Sequence, residues 1–195
     1  MSQTSTTILA SKSHKANVTG TDISFTATGS EYKISATSTT LNNFAVRDLI
    51  TVSGTTNNNS TFTVKTVSSS TQLIVEEIVT TETSDGSTTT TLDHTGFVSD
   101  KTKGDGYYSK VDGVHTVAYL LEADYPADTV IKMQGTLATT PTENDWFDIS
   151  STSFTTDGTT TIKNVSFNFT GNLVYVRAKV TSVTDGTITS IQLNS

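Results

Sequence analysis

The sequence contains three histidines, His14, His94 and His115, and no cysteine. No two of these histidines are two or four residues apart, which is the spacing of a metal-binding pair on a strand or a helix. The lack of cysteine excludes thiolate metal sites, cysteine nucleophiles and disulfides. We therefore expect no metal site and no resident cofactor.

Five aspartates in the middle of the sequence raise the question of calcium binding. They lie about seven residues apart and lack the Asp-x-Asp-x-Asp-Gly pattern of a calcium loop. Hydrated turn positions are the favoured interpretation, and a calcium ion shared between subunits is left open. The residues are Asp85, Asp93, Asp100, Asp105 and Asp112.

Catalytic motifs are missing from the sequence. It has no Gly-x-Ser-x-Gly elbow, no phosphate-binding loop and no dinucleotide fingerprint. No set of nucleophile, base and orienting group can be named. We therefore predict that the protein is not an enzyme and has no catalytic residues.

Trp146 is the only tryptophan, and Glu143, Asp145 and Asp148 lie close to it in the sequence. This combination fits the rim of a sugar-binding site. The favoured interpretation is packing or an interface anchor, because tryptophan supplies a large apolar area in either place. Together with Arg47 and Arg177, Trp146 forms the set of candidate partner-contacting residues.

Alternation of apolar and hydroxylated residues predicts the elements that hold these side chains. Thr and Ser make up about a third of the chain. In Asp22–Thr28, Ile23, Phe25 and Ala27 alternate with Ser and Thr, and Leu173–Val180 shows the same period of two. This period places apolar side chains on one face of a strand and polar ones on the other. We therefore predict an all-β protein.

The charge and hydropathy patterns exclude two classes of partner. Twelve Lys and Arg against nineteen Asp and Glu give a net charge of −7, and no basic stripe is present. Binding to a nucleic-acid backbone is therefore not expected. No apolar run approaches the roughly 20 residues of a membrane helix. The first residues lack the features of a secretion signal, so we expect synthesis and use in a cytoplasm, or in a particle assembled there.

Turn residues divide the chain into four predicted segments. Residues 1–20 are predicted to form a polar N-terminal arm, and residues 21–82 a small module resembling a β-barrel. Residues 83–110 are predicted to be a projecting hairpin and linker, with Ile78–Thr83 and Thr88–Leu92 pairing around Asp85-Gly86. Residues 111–195 are predicted to form an antiparallel β-sandwich of jelly-roll type.

The predicted strands are short and evenly spaced in both modules. Those of the first module are Asp22–Thr28, Tyr32–Ser35, Asp48–Val52, Thr61–Val67, Leu73–Glu76 and Ile78–Thr81. Those of the second are Val114–Ala123, Thr129–Leu137, Trp146–Ile149, Thr159–Phe169, Leu173–Val183 and Thr187–Leu193.

Two sets of segments resemble structural proteins of tailed bacteriophages. Phe44–Gly54, Asn58–Val67 and Leu73–Glu76 are similar to a small β module of these proteins, in which an aromatic residue precedes a Gly/Asp turn. Val46 and Arg47 stand where that module commonly has a glycine, and Ser60 replaces another glycine. The second set resembles the sandwich of virion structural proteins from large marine, cyanophage-like tailed phages. It comprises Val130–Leu137, Asp145–Ile149, Phe169–Val180 and Gly186–Leu193.

The resemblance implies a non-enzymatic part of a virion, such as a capsid decoration, neck, tail or fibre protein. We expect a capsid decoration (cement) protein that stabilises the shell through oligomeric contacts and is located in the virion. Expected partners are the major capsid protein or other virion proteins, and further copies of the chain, with a trimer favoured. The alternative is a carbohydrate-binding or host-adhesion module of a tail or fibre, suggested by Trp146 and by Tyr107, Tyr108, Tyr119 and Tyr125.

Overall fold

The chain folds almost entirely into antiparallel β-strands, which confirms the all-β prediction. A computed structural model describes residues 5–109, 113–123, 125–158 and 164–194. Within these residues, the only helical segments are three short 3-10 helices at Asp105–Tyr108, Glu143–Asp145 and Ser150–Thr152. No helix in the described ranges has the length and apolar character that crossing a membrane requires.

Seventeen strands are present in the described residues. They are β1 (Ser5–Leu9), β2 (Lys12–Ser13), β3 (Val18–Gly20), β4 (Ile23–Thr28), β5 (Glu31–Ala36), β6 (Asp48–Ser53), β7 (Thr61–Ser69), β8 (Gln72–Val75), β9 (Thr90–Val98), β10 (Thr102–Lys103), β11 (Val114–Leu121), β12 (Val130–Thr136), β13 (Phe147–Asp148), β14 (Phe154–Thr155), β15 (Asn164–Thr170), β16 (Tyr175–Thr181) and β17 (Thr187–Asn194).

The chain divides into two compact units. Unit 1 comprises Met1–His14 and Phe97–Ser195, and unit 2 comprises Lys15–Gly96. Unit 2 is therefore inserted in the sequence of unit 1. This division differs from the predicted boundaries because β1 pairs with β17, with Ser5 opposite Asn194. A pairing between such distant residues leaves no mark in the local sequence pattern.

Unit 1 is a two-sheet sandwich. Its first sheet has the order β1-β17-β11-β15, with β2 also paired with β17. In its second sheet β16 lies between β10 and β12, and the far edge of β12 carries β13 and β14. One core joins the inner faces of both sheets, which bury apolar residues at alternate positions. The first sheet contributes Val117, Tyr119, Leu121, Ile188 and Ile191, and the second contributes Ile131, Met133, Val176, Ala178 and Val180.

The segment predicted as an N-terminal arm contains strands instead. In unit 1, β1 and β2 pair with β17, and Ile8 and Leu9 are buried. Strand β3 pairs with β9 in unit 2. A mostly polar sequence suits such edge positions because the backbone makes the ladder and only a few side chains need burial. Residues 1–4 of the predicted arm, and 159–163 of the predicted strand Thr159–Phe169, lie outside the described residues.

Unit 2 is a seven-strand arrangement with its own core. Its strands follow one another in the order β3-β9-β6-β7-β8-β5-β4. The core is formed by the apolar phase of these strands together with Leu41, Phe44 and Val79 from the connections. Closure of this sheet into a barrel, and the jelly-roll connectivity of unit 1, stay predictions.

The structure does not contain the predicted hairpin of Ile78–Thr83 with Thr88–Leu92. Glu82 instead forms a bridge with Phe25, and Thr90–Leu92 pair with β3. Asp85 accepts hydrogen bonds from the amides of Ser87 and Thr88, at 2.8 Å and 2.7 Å, so Asp85-Gly86 makes a local turn without paired arms. Because Glu82 pairs with Phe25 and Thr90–Leu92 pair with β3, the two segments beside the turn do not pair with each other.

The carboxylate of Asp22 holds one turn of unit 2, and we expect it to make the stability of this unit depend on pH. Asp22 accepts hydrogen bonds from the amides of Thr37, Ser38 and Thr39, at 3.1, 2.6 and 3.0 Å. The hydroxyl and amide of Thr39, followed by the amide of Ser38, hold the pKa of Asp22 far below its ordinary value of 3.8. Because a lowered pKa favours the folded state above the unfolded pKa, this contribution declines as the pH falls below about 4.

We therefore expect Asp22→Asn to remove part of the acid sensitivity of unit 2. Unfolding free energies measured between about pH 5 and pH 2 should fall less steeply for the variant than for the wild type. Glu31→Gln is the control, because Glu31 is largely exposed and pairs with Lys33 in the same unit. Identical pH profiles for Asp22→Asn and the wild type would contradict the expectation.

Candidate functional site

Arg177 and Trp146, two of the three candidate partner-contacting residues, meet on the outer face of the second sheet of unit 1. Along β16 the residues alternate, so that Val176 and Ala178 enter the core and Arg177 lies on the opposite face. The guanidinium carbon of Arg177 lies 4.2 Å from the centroid of the Trp146 ring. This is a cation–π contact, and Trp146 remains partly exposed. Trp146 therefore packs against Arg177 with part of its ring surface and presents the rest to solvent.

A hydrogen-bonded network fixes the Arg177 side chain. Its Nη1 and Nη2 donate to the two carboxylate oxygens of Glu143, each at 2.7 Å. Its Nε donates to Oε1 of Gln134 at 2.9 Å. The side chain of Arg177 is only 3% exposed, whereas that of Glu143 is 18% exposed. A bidentate pair in this setting orients both groups, which makes the Arg177 network a rigid element.

The network continues across β12 to the edge strand β13. Gln134 lies opposite Arg177 on one side and opposite Asp148 on the other. Its amide nitrogen donates to Oδ1 of Asp148 at 2.9 Å, and Nζ of Lys132 donates to Oδ2 of Asp148 at 2.6 Å. Lys132 and Gln134 are two residues apart on β12 and share the outer face. Three neighbouring strands are thus connected by side chains as well as by their backbones.

Lys179 is a half-buried cation on the same face, opposite Lys132 in the strand register. Burial lowers the pKa of Lys179, and the nearby positive charge of Arg177 lowers it further. Within the described residues, the carboxylates of Glu143 and Asp148 are bonded to Arg177 and Lys132, and no ion pair includes Lys179. A negative group placed beside Lys179 would favour its charged form.

A second group on this face, the tyrosine–lysine cluster, comprises Lys101, Lys103, Tyr107, Tyr108 and Tyr175. Nζ of Lys103 lies 4.0 Å from the ring centroid of Tyr107 and 5.8 Å from that of Tyr108. Nζ of Lys101 lies 4.6 Å from the ring centroid of Tyr175. The rings also contact one another, with centroids 5.2 Å apart for Tyr107–Tyr108 and 5.5 Å for Tyr107–Tyr175. A hydrogen bond with Tyr107 raises the pKa of Lys103.

Backbone contacts hold the turn that carries Tyr107 and Tyr108. The amide of Gly106 donates to the carbonyl of Leu173 at 2.9 Å, and a Cβ added at Gly104 would lie 2.4 Å from that same carbonyl oxygen. At the start of the turn, Oδ2 of Asp105 lies 3.3 Å from Nε2 of His115. His115 is therefore a buried residue that helps to position the tyrosine turn.

The sequence pattern indicated only part of this face. Arg177 and Trp146 are separate candidates in the sequence, and their contact follows from the pairing of β12 with both β16 and β13, which the sequence does not show. Lys103 and Lys179 were missed. The available signal was the phase of β16, since Tyr175, Arg177 and Lys179 occupy every second position between core residues.

The third candidate, Arg47, lies in unit 2 within a small surface patch. Its backbone has a φ of 72°, the left-handed conformation that glycine adopts without strain. Nη1 of Arg47 lies 3.4 Å from Oε1 of Glu76. The pair joins two segments with exposed apolar residues, Val46 (46% exposed) and Ile78 (75%). We call Val46, Arg47, Glu76 and Ile78 the Arg47 patch.

A buried ion pair supports the turn before β6 in unit 2. Asp48 has no exposed surface and accepts hydrogen bonds from Nζ of Lys15 at 2.6 Å and from the amide of Ala45 at 2.8 Å. Nε2 of the buried His94 lies 3.7 Å from the same carboxylate oxygen. These contacts orient the backbone on both sides of Arg47, so we assign this group a structural role.

In the part of the chain that the structure describes, no three His, Asp or Glu side chains are grouped so that they could hold a metal ion. The chain matches no known protein-family model and no curated protein sequence. The outer face of the second sheet of unit 1 and the Arg47 patch are therefore the two candidate binding surfaces.

Proposed function

We propose that the protein is a non-enzymatic structural protein of a bacteriophage virion, and that it acts as a capsid decoration protein. The resemblance of Phe44–Gly54 and Val130–Leu137, with the segments around them, to phage structural proteins supports the virion context. In this proposal unit 2 docks on the major capsid protein or another virion protein through the Arg47 patch. Copies of the chain also contact one another, as a trimer.

The observation that carries the docking proposal is the conformation of Arg47. A residue with a Cβ costs about 1–2 kcal/mol in the left-handed region, a cost that glycine avoids. A strained arginine at a turn where glycine would fit better points to a use for its side chain. The side chain pairs with Glu76, and the exposed apolar residues Val46 and Ile78 lie close to this pair in the sequence. Protein interfaces combine apolar residues with charged groups at their rim.

Arg47→Gly should reduce docking on the particle without a large change in the stability of the fold. The variant relieves backbone strain and loses a partly exposed ion pair, so we expect the free energy of unfolding to change by less than about 1 kcal/mol. Incorporation into particles of the phage that encodes the chain should fall about tenfold or more. Quantitative mass spectrometry of purified particles measures the copy number.

Ser182→Gly is the matched control, because Ser182 of unit 1 also has a left-handed backbone, with a φ of 60°. It should leave the copy number unchanged. The docking proposal fails if Arg47→Gly is incorporated like the wild type. Absence of the wild-type protein from mature particles would refute the virion role altogether.

A second candidate function is carbohydrate binding or host adhesion by a tail or fibre element. The outer face of the second sheet of unit 1 favours it, because Tyr107 and Tyr108 are 42% and 54% exposed and Trp146 is partly exposed. Aromatic faces with polar groups beside them provide stacking surfaces for sugar rings. A glycan array without any hit would remove this candidate.

A further inference from the structure

The outer face of the second sheet of unit 1 concentrates the positive charge of an acidic protein. It carries five of the twelve Lys and Arg residues of a chain whose net charge is −7. Arg177 and Lys179 share one face of β16 with Tyr175, Lys103 lies opposite Tyr175, and Lys132 lies opposite Lys179. Lys101 contacts the ring of Tyr175. The five residues are Lys101, Lys103, Lys132, Arg177 and Lys179.

Only two of these five cations are neutralised within the described residues. Glu143 pairs with Arg177, and Asp148 pairs with Lys132. The contacts of Lys101 and Lys103 are with tyrosine rings, which attract an ammonium group without cancelling its charge. Lys179 is half-buried near Arg177, Lys132, Glu143 and Asp148, and no ion pair of the described residues includes it. Three positive groups therefore remain for a negatively charged occupant.

The aromatic residues between these cations restrict the shape of that occupant. Tyr107 and Tyr108 are exposed, Tyr175 and Trp146 are partly exposed, and the tyrosine turn is held by its backbone. A tyrosine ring offers a flat apolar surface that suits the C–H face of a sugar ring. A stretch of Asp and Glu side chains has no such face, so charge complementarity and shape together favour a saccharide over a peptide.

The spacing of the cations favours few charges over a dense polyanion. Lys103 lies opposite Tyr175, which is four residues from Lys179 on β16. At the rise of a β-strand this is a distance of about 13 Å along β16. A nucleic-acid duplex presents its charges much more densely, about one per 1.7 Å of its axis. A sugar trimer with one carboxylate on each ring carries three negative groups, one for each of Lys101, Lys103 and Lys179.

We propose that this face binds an acidic oligosaccharide, with sugar rings against Tyr107 and Tyr108 and carboxylates at the ammonium groups of Lys101, Lys103 and Lys179. This inference rests on the carbohydrate-binding candidate function and specifies the class of its ligand. It is independent of docking through the Arg47 patch in unit 2.

The test is isothermal titration of the full chain with a trimer of galacturonic acid and with its neutral methyl ester. We expect binding of the acidic trimer, and at least about tenfold weaker binding of the ester, because each lost ion pair is worth up to a factor of ten. Lys103→Gln/Lys179→Gln should weaken binding of the acidic trimer about tenfold. Tyr107→Ala should also weaken it, without a change in net charge.

The matched control is Lys33→Gln/Lys65→Gln, which makes the same change in charge at exposed ion pairs of unit 2. It should alter the affinity less than about twofold, because distant surface charges are screened. Equal affinity for the acid and the ester overturns this inference and leaves the carbohydrate-binding candidate standing. No binding of either trimer overturns this inference, and a glycan array without any hit removes the carbohydrate-binding candidate as well. Equal or tighter binding of triglutamate overturns the assignment to a saccharide.

Discussion

Arg177→Met is expected to destabilise unit 1 by about 2–4 kcal/mol, because it leaves Glu143 and Gln134 without their donors in a largely buried site. Methionine keeps much of the length of the side chain but makes none of the three hydrogen bonds, which measure 2.7, 2.7 and 2.9 Å. Chemical denaturation should show an earlier midpoint with an unchanged slope. Trp146, the only tryptophan, should change its fluorescence in the folded state as it loses the guanidinium.

Lys132→Met provides the control for this result. Lys132 also lies on the outer face and also pairs with a carboxylate, but its side chain and that of Asp148 are 23% and 48% exposed. A partly exposed pair of this kind contributes less than about 1 kcal/mol. Equal destabilisation by the two substitutions would show that the Arg177 network contributes no more to the stability of unit 1 than an exposed ion pair does.

Asp48→Asn should destabilise unit 2 by about 3 kcal/mol, because it removes the charge opposite a lysine in a buried site. Asparagine has nearly the same shape, so the loss reports the electrostatic interaction rather than a cavity. Asp48 has no exposed surface, and the side chain of Lys15 is 22% exposed. Denaturation followed by circular dichroism measures the change.

A double variant distinguishes the ion pair from other effects at this position. Lys15→Met in the Asp48→Asn background removes the unpaired ammonium and should recover part of the lost stability. Lys33→Gln, at the exposed pair with Glu31, should change stability by less than about 1 kcal/mol. If the double variant is no more stable than Asp48→Asn, the Lys15–Asp48 pair is not what stabilises this turn.

Local alternation was sufficient to predict most strands. The predicted segments Tyr32–Ser35, Thr61–Val67 and Thr129–Leu137 correspond to β5, β7 and β12 within two residues at each end. The alternation of buried and exposed side chains involves only residues next to one another in the chain, so it can be recognised from the sequence alone. The segment Ile78–Thr81 is not a strand in the structure, although Val79 enters the core of unit 2.

Pairing between distant segments was the part that could not be predicted. Strand β1 contains only two buried residues, and its place in the sheet depends on hydrogen bonds to β17. The same limit applies to the site, where Glu143 and Gln134 reach Arg177 only after β12 and β16 have paired. Residue types suggested Trp146 and Arg177, whereas their partners come from the register.

The insertion of unit 2 between the two segments of unit 1 sets an order of events on the ribosome. Residues of β1 are made before those of their ladder partner β17, with all of Lys15–Gly96 in between. At 5–20 residues per second, β1 waits about 10–40 s for that partner, long enough for unit 2 to fold beforehand. A nascent chain stalled before β17 therefore carries an unmatched strand that invites pairing with a neighbouring chain.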